Sequence, residues 1–512
     1  MSREVAERFN VGTLVDRNLE AGRGDKVAVR HDGGELTYAE LFDRVCRAAS
    51  ALRALGVRRE QRVLMILDDT PAFPAVFLGA IRLGAVAAPV SFLDVTANFR
   101  HYARDSYAPV IVAEAGVMER LRPALADLPV PPLLVSANGP AEGAEALDAL
   151  LEAHPGEVAP ADTHRDDPAF WLFSGGSTGP PKAVVHAHRD IPYTCETYAR
   201  EVLRIAPEDV TLSTTKLYHA YGLGNNLTFP YWVGASTTLM SGRPVPARIL
   251  ETAAARRPTL FFSVPTLYGA MVNVPEAAAV DLGSVRMCVS AAEPLAPEVL
   301  RRWQAAFGLD IIDGIGSTEM LHIYCSNRPD HVHPGTSGRP VPGYELEIRG
   351  EDGRPVAPGE VGNLYVTGDS ALSHYHHQRD KTRGALDGRA FFTGDRYRQL
   401  EDGCFAYEGR ADDMIKVGGL WASPIEIENV LVEHPNVLEA AAIGVHADYT
   451  TRVKAFIVCR DGTATDELVS DLQGWCKERL RRYEFPHFIS FVDELPKTPT
   501  GKIQRYKLRE MS

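Results

Sequence analysis

Between residues 37 and 113, helix signals alternate with short, almost wholly apolar runs, and this alternation constrains the fold more than any other feature. Thr37-Tyr-Ala-Glu40 is a capping box, in which the threonine hydroxyl and the glutamate carboxylate satisfy backbone donors left open by the first helical turn. Leu41, Val45, Ala48, Ala49, Leu52 and Leu55 then recur at helical spacing, and Gly56 ends the run. Val63 to Leu67 predicts a strand. The long apolar stretch from Phe73 to Leu93 is divided by Pro74, Gly79, Arg82, Gly84 and Pro89, so it predicts a buried helix and a buried strand rather than a membrane span. Pro109 to Ala113 predicts one more short strand. Strands that are apolar on both faces need cover on both faces, so the expected class is α/β, with sheets covered by helices.

At 512 residues the chain exceeds what one hydrophobic core accommodates. Residues 137–167, rich in Ala, Glu, Pro and Asp, predict a surface excursion. Ser423-Pro424-Ile425-Glu426 starts a helix with a serine cap and a proline at the first helical position. Apolar strands near Glu439–Val445 and Lys454–Cys459 follow, then a helix ending near Arg482, together a compact α+β module. The polar segment Gly409-Arg410-Ala411-Asp412-Asp413 separates the two patterns. The expected division is 1–409, a hinge at 410–412, and a small mobile domain at 413–512.

The net charge of −13 argues against a nucleic-acid partner, although local cations can still bind small anions. The seven cysteines are odd in number, scattered and never in a CxxC pair, and no targeting segment is visible. A reduced, cytoplasmic protein without a membrane anchor is expected.

The most informative segment runs Trp171-Leu-Phe-Ser174-Gly175-Gly176-Ser177-Thr178-Gly179-Pro180-Pro181-Lys182. Glycines let backbone N–H groups curl around a phosphate, hydroxyls add donors and the lysine adds a point charge. No GxxxxGK[ST] string occurs, which disfavours a P-loop NTPase. Gly175-Gly-Ser177-Thr-Gly179 also matches the G-x-S-x-G elbow of serine hydrolases, although Pro180-Pro181 fit poorly in the helix that must follow an elbow.

This loop resembles the signature of the adenylate-forming superfamily of acyl-CoA synthetases, adenylation domains and luciferases, with Gly175 for a usual serine and Ala183 for a usual glycine. Further stations follow in the family's order: Ser290-Ala-Ala292-Glu293-Pro-Leu295, with Ala292 for glycine; Gly314-Ile-Gly316-Ser317-Thr318-Glu319; Thr393-Gly394-Asp395; Gly409-Arg410-Ala-Asp412-Asp413-Met-Ile-Lys416-Val-Gly418-Gly419; and Pro499-Thr-Gly501-Lys502. The resemblance implies an N-terminal ATP- and acid-binding domain and a C-terminal lid turning about Asp412. It implies that Ser174, Ser177, Thr178, Gly179, Lys182, Ala292, Glu293, Asp313, Gly314, Thr318, Asp395, Arg410 and Lys502 hold ATP or AMP. It also implies that Glu319 helps hold Mg²⁺, that Lys502 bridges carboxylate and α-phosphate, and that Gly418 and Gly419 border the coenzyme A tunnel.

Tyr221-Gly-Leu-Gly-Asn225, Gly316-Ser-Thr-Glu-Met320-Leu-His322-Ile323, Gly335-Thr-Ser-Gly338 and Lys416 to Glu428 most resemble benzoate–CoA ligases. By that resemblance His219, Ala220, Tyr221, Gly316, His322 and Ile323 form the acid site, and His219, Thr318, Glu319 and Lys502 the catalytic set. The implied reaction converts benzoate, or an amino- or hydroxybenzoate, to its CoA thioester through an acyl-adenylate. A stand-alone enzyme loading a separate carrier protein, a serine hydrolase using Ser177, and a non-catalytic nucleotide binder (from Gly175 and Ala183) are the alternatives. A homodimer is an expectation from the family alone. His374, His376 and His377, with His331 and His333 upstream, invite a zinc reading but have no thiol or carboxylate at a recognised ligand spacing, so a solvated loop is expected.

Overall fold

The computed structural model describes residues 5–176, 179–275, 277–411, 413–417, 420–447, 450–460, 462, 464–497 and 503–512. The capping box forms as expected: Thr37 Oγ1 accepts from the Glu40 N–H at 3.2 Å, and the Thr37 N–H donates to Glu40 Oε2 at 2.8 Å, opening the helix Tyr38–Ala54. The apolar stretch after it folds as the buried helix Ala72–Arg82 and the buried strand Val86–Pro89.

Two large sheets organise the N-terminal part. The first orders His374–Tyr375, Gly179–Ala187, Pro168–Gly176, Val86–Pro89, Arg62–Ile66, Val110–Glu114, Leu133–Ala137 and Glu145–Ala146. Its central strands run parallel and are buried on both faces, which explains their unbroken apolar sequences. The second orders Arg339–Pro340, Ile323–Ser326, Ile311–Gly316, Met287–Ser290, Leu260–Ser263, Val210–Ser213, Ser236–Thr238, Val27–His31 and Gly34–Thr37. A smaller antiparallel sheet holds Val361–Thr367, Ala390–Gln399 and Phe405–Arg410.

The stretch 137–167 departs from the expected excursion. It contains a helix, Leu147–Ala153, whose Leu147, Leu150 and Leu151 pack into the main core. Its i, i+3, i+4 leucines carry that signal, but the surrounding Ala, Glu and Pro mask it.

Beyond residue 413, the strands Val437–Ala447, Thr450–Cys459 and Phe488–Phe491 form a sheet that shares a separate core with the helices Pro424–Val432 and Asp466–Arg479. The latter helix ends three residues earlier than Arg482. Asp413 pairs with Arg509 at 2.6 Å, and Arg505 pairs with Glu428 at 2.6 Å, tying the chain's last helix to this module. Among the described residues no helix is long and apolar enough to cross a membrane.

Candidate active site

The glycine-rich segment lies at the tip of a hairpin. Pro168–Gly176 and Gly179–Ala187 pair antiparallel, with Ser174 opposite Lys182 and Gly176 opposite Gly179. A strand, not a helix, therefore follows Ser177, which removes the geometry a nucleophile elbow requires. Ser177 and Thr178 themselves lie outside the described residues, as do Asp412, Gly418, Gly419 and Lys502.

Lys182 projects toward Lys381, a residue that the sequence reading did not single out. The two amino groups lie close enough for a hydrogen bond once one of them has lost its proton. Partial desolvation of Lys381 first, and Lys182 second, bring the Lys381 pKa down to about 8, while the nearby Glu319 carboxylate opposes the shift. Tyr375 joins this group: its hydroxyl donates to Glu319 Oε1 at 3.0 Å, and the Lys381 ammonium lies 5.3 Å from its ring centroid. Two amines held against one another serve no folding purpose, but they suit a polyanion placed between them.

Glu319 stands in the turn between the antiparallel strands Ile311–Gly316 and Ile323–Ser326, where Gly314 faces Ser326 and Gly316 faces Ile323. A buried relay fixes that turn. Asp190 Oδ2 lies 2.8 Å from His186 Nδ1, and His186 Nε2 lies 2.8 Å from the Thr318 carbonyl oxygen. With a carbonyl as its only Nε2 partner among the described residues, His186 donates, and its ring orientation sets the Thr318 backbone. Asp313, at the root of the same strand, is buried, and loss of hydration pushes its carboxyl well above the usual range. Nearby, Glu293 accepts a hydrogen bond from the Thr266 N–H at 3.3 Å. Ala292 adopts φ +77°, the left-handed region that glycine occupies without strain.

Asp395 and Arg410 are direct partners on neighbouring strands. Arg410 Nη1 donates to Asp395 Oδ1 at 3.2 Å and to the Thr393 carbonyl at 3.1 Å. Gly394, at φ +74°, leaves room for that guanidinium; a Cβ there would meet Arg410 Nη2 at 2.8 Å.

His322 and Ile323 occupy the other end of the Glu319 turn and are both buried. The His322 ring lies 4.5 Å from the Phe229 centroid, 5.5 Å from Tyr198 and 5.6 Å from Tyr221. Its Nε2 approaches the Tyr221 carbonyl at 3.3 Å and so carries the proton, leaving Nδ1 a buried acceptor with no partner among the described residues. Burial pushes the imidazole pKa down to about 3, so the ring is neutral. Gly224 lets it sit this close, since a Cβ there would meet His322 Cδ2 at 2.3 Å. The Tyr221 hydroxyl is committed to the Val289 carbonyl at 3.0 Å, so this residue offers its ring, not its oxygen, to the compartment.

His219 caps the short helix Ala220–Leu223, and its ring lies 4.6 Å from Tyr218. The segment leading to it is clamped from below: Lys216 Nζ reaches Asp68 Oδ1 at 2.8 Å, and the Leu217 N–H donates to Asp69 Oδ1 at 3.0 Å. Burial raises Asp69 to about 6.

Comparison with known proteins settles the family. Residues 15–376 match the AMP-binding enzyme model, and residues 426–502 match the AMP-binding enzyme C-terminal domain model. The chain belongs to the AMP-binding enzyme family. The expected adenylate-forming resemblance and the α/β fold with a small C-terminal domain are thereby borne out. Among AMP-binding relatives, a benzoate–CoA ligase of Thauera aromatica is 45% identical over 511 residues, covering 99% of this chain and 97% of that protein. A solved anthranilate CoA ligase, AuaEII, in complex with anthranoyl-AMP superposes with a TM-score of 0.97 at 36% identity, covering 100% of this chain and 99% of that one. A benzoate CoA ligase structure from Burkholderia xenovorans LB400 gives 0.91 at 42% identity, covering 98% and 100%.

Proposed function

We propose that the protein is an ATP-dependent, AMP-forming aryl-CoA ligase that converts benzoate or a substituted benzoate to its CoA thioester. One observation carries the reading: a single turn, residues 317–322, presents Glu319 to a cation-lined cleft and His322 to an enclosure of aromatic rings. A flat, apolar acid and a triphosphate can then meet at Thr318. The CoA ligases named above align with this chain nearly end to end, which supports coenzyme A rather than a separate carrier protein as the acceptor.

In the first half-reaction the acid's carboxylate oxygen attacks the α-phosphorus of ATP, and pyrophosphate leaves. Both reactants are anions, so binding energy must overcome their repulsion and hold them in line. Lys182 and Lys381 take the leaving phosphates, with Ser174, Ser177, Thr178 and Gly179 around them. Asp395 accepts from the ribose hydroxyls, and Arg410 steadies it. The adenine lies along Ala292 and Glu293, above Asp313 and Gly314. Among the described residues the Glu319 carboxylate is bonded only through Oε1, and its hard Oε2 suits Mg²⁺, which would neutralise phosphate charge when bound. Lys502 bridges the carboxylate and the α-phosphate.

In the second half the CoA sulfur attacks the acyl carbonyl carbon and AMP departs. The C-terminal domain turns about Asp412, withdraws Lys502 and brings Gly418 and Gly419 to the thiol's path. His219, next to Ala220 in the chain, flanks the reacting carboxyl. Ala220, Tyr221, Gly316, His322 and Ile323 wall the ring.

A ring-substituted acid is a second reading, favoured by His322 Nδ1, which has no partner among the described residues. A hydroxyl or amino group on the substrate ring would donate to it and relieve a buried, unsatisfied acceptor.

ATP–pyrophosphate exchange across benzoate, its hydroxy and amino derivatives, cinnamates and short fatty acids tests the proposal, followed by thioester formation with CoA and with a holo-carrier. Exchange confined to fatty acids, or transfer to the carrier alone, would overturn it. Lys502→Ala should abolish exchange while sparing thioester formation from supplied acyl-adenylate.

A further inference from the structure

In the sequence, His331 and His333 have no thiol or carboxylate companion at a recognised ligand spacing. The fold supplies both. The nitrogen of His331, the nitrogen of His333, a carboxylate oxygen of Asp402 and the sulfur of Cys404 all lie within 4.8 Å of one another. We propose that His331, His333, Asp402 and Cys404 form a structural binding site for a divalent transition metal of the zinc class, remote from the active site.

The geometry is near what four-coordination needs. Bonds of about 2.0–2.3 Å in a tetrahedron separate the donor atoms by roughly 3.3–3.8 Å. His331 Nε2 stands 3.9 Å from Asp402 Oδ2, and His333 Nδ1 stands 2.8 Å from the same oxygen in a hydrogen bond that the metal replaces. Two imidazoles, a carboxylate and a thiol select zinc-like ions, because hard magnesium and calcium prefer oxygen alone. Four protein donors close the coordination sphere, which marks a structural rather than a catalytic site.

The donors are held in place by bonds that do not involve them. His331 exchanges backbone hydrogen bonds with Arg328, and the His333 N–H donates to Asn327 Oδ1 at 2.8 Å. Asn327 is itself buried and donates to the Thr336 carbonyl at 2.8 Å. Asp402 Oδ1 accepts from the Cys404 N–H at 3.0 Å, which leaves Oδ2 for the metal. The Arg339 guanidinium holds the Asp402 carbonyl at 2.8 Å. Such supporting bonds fix a ligand's orientation before metal arrives. Cys404 is fully buried, yet it lines, with His331, Arg339 and Asp330, a cavity of about 470 Å³ that provides a way in.

Both segments lead to the active site. His331 and His333 follow the strand Ile323–Ser326, and Asp402 and Cys404 form the turn of the hairpin whose far end carries Asp395 and Arg410. A metal here clips the two supports together. A second group, Asp105, His376 and His377, has only three donors and no thiol.

The test uses the full-length protein, stripped with chelator and loaded with Zn²⁺ or Co²⁺. One metal per chain should survive desalting, the Co²⁺ form should show a thiolate charge-transfer band, and Zn²⁺ should raise the melting temperature. Cys404→Ser should erase the band. His333→Ala, at an accessible position, should weaken binding by more than about tenfold. His377→Ala should change nothing. Substoichiometric metal, a Co²⁺ spectrum without the thiolate band, or loss with His377→Ala but not with His333→Ala would overturn the assignment.

Discussion

Lys182 and Lys381, 199 positions apart in the chain, lie close enough for the charge of Lys182 to lower the Lys381 pKa, with the Glu319 carboxylate opposing it. Like charges brought together in this way destabilise the free protein, and a bound polyphosphate reverses the sign of that term. Lys381→Ala is therefore expected to raise the KM for ATP by about tenfold or more while leaving the fold intact, measured by pyrophosphate exchange and thermal melting.

The same pair predicts a pH effect. The Lys381 pKa of about 8 belongs to the free enzyme, and triphosphate binds the protonated form. Free enzyme sheds this proton as pH rises through that value, so the KM for ATP should climb between about pH 8 and 9. Lys381→Arg keeps its charge throughout and should flatten the profile.

Gly394 carries a positive φ, and a Cβ there would stand 2.8 Å from Arg410 Nη2. Gly394→Ala should cost about 1–2 kcal/mol in stability from the left-handed backbone alone. By displacing Arg410 from Asp395 it should also raise the KM for ATP more than it lowers kcat. Denaturant melts and steady-state kinetics separate the two effects.

Ala292 holds a conformation that suits glycine. Ala292→Gly should stabilise the protein by about 0.5–1 kcal/mol, the relief of strain exceeding the added chain entropy. A lower midpoint in urea would contradict this account.

His322 stays neutral at every physiological pH, so the acid's binding should show no titration of this ring. His322→Phe preserves an aromatic wall but deletes the Nδ1 acceptor. Relative to the native protein it should favour benzoate over ring-hydroxylated or amino acids by about 1–3 kcal/mol, read as a ratio of kcat/KM values.

The helix caps and the phosphate loop are legible because their requirements are local. A capping box at Thr37, a serine cap at Ser423 and the glycines of the phosphate loop each answer a backbone need within a few residues, and sequence records such needs directly. The helix Leu147–Ala153 was hidden because its three leucines sit in a polar, proline-rich context, and only packing reveals that they are core.

Sequence by itself thus determined the layered α/β architecture, the order of the motifs and the chemistry they serve. Tertiary structure alone decided which distant side chains meet. Lys381 lies in an Arg-Asp-Lys-Thr-Arg run that reads as solvated surface, and nothing nearby marks it as the partner of Lys182. Asp402 and Cys404 reach His331 and His333 only because the hairpin packs on the loop after Ile323–Ser326. His186 orients Thr318 from 132 residues away. Long-range contacts of this kind impose no backbone pattern on either segment, so they leave no local trace until the core brings the strands together.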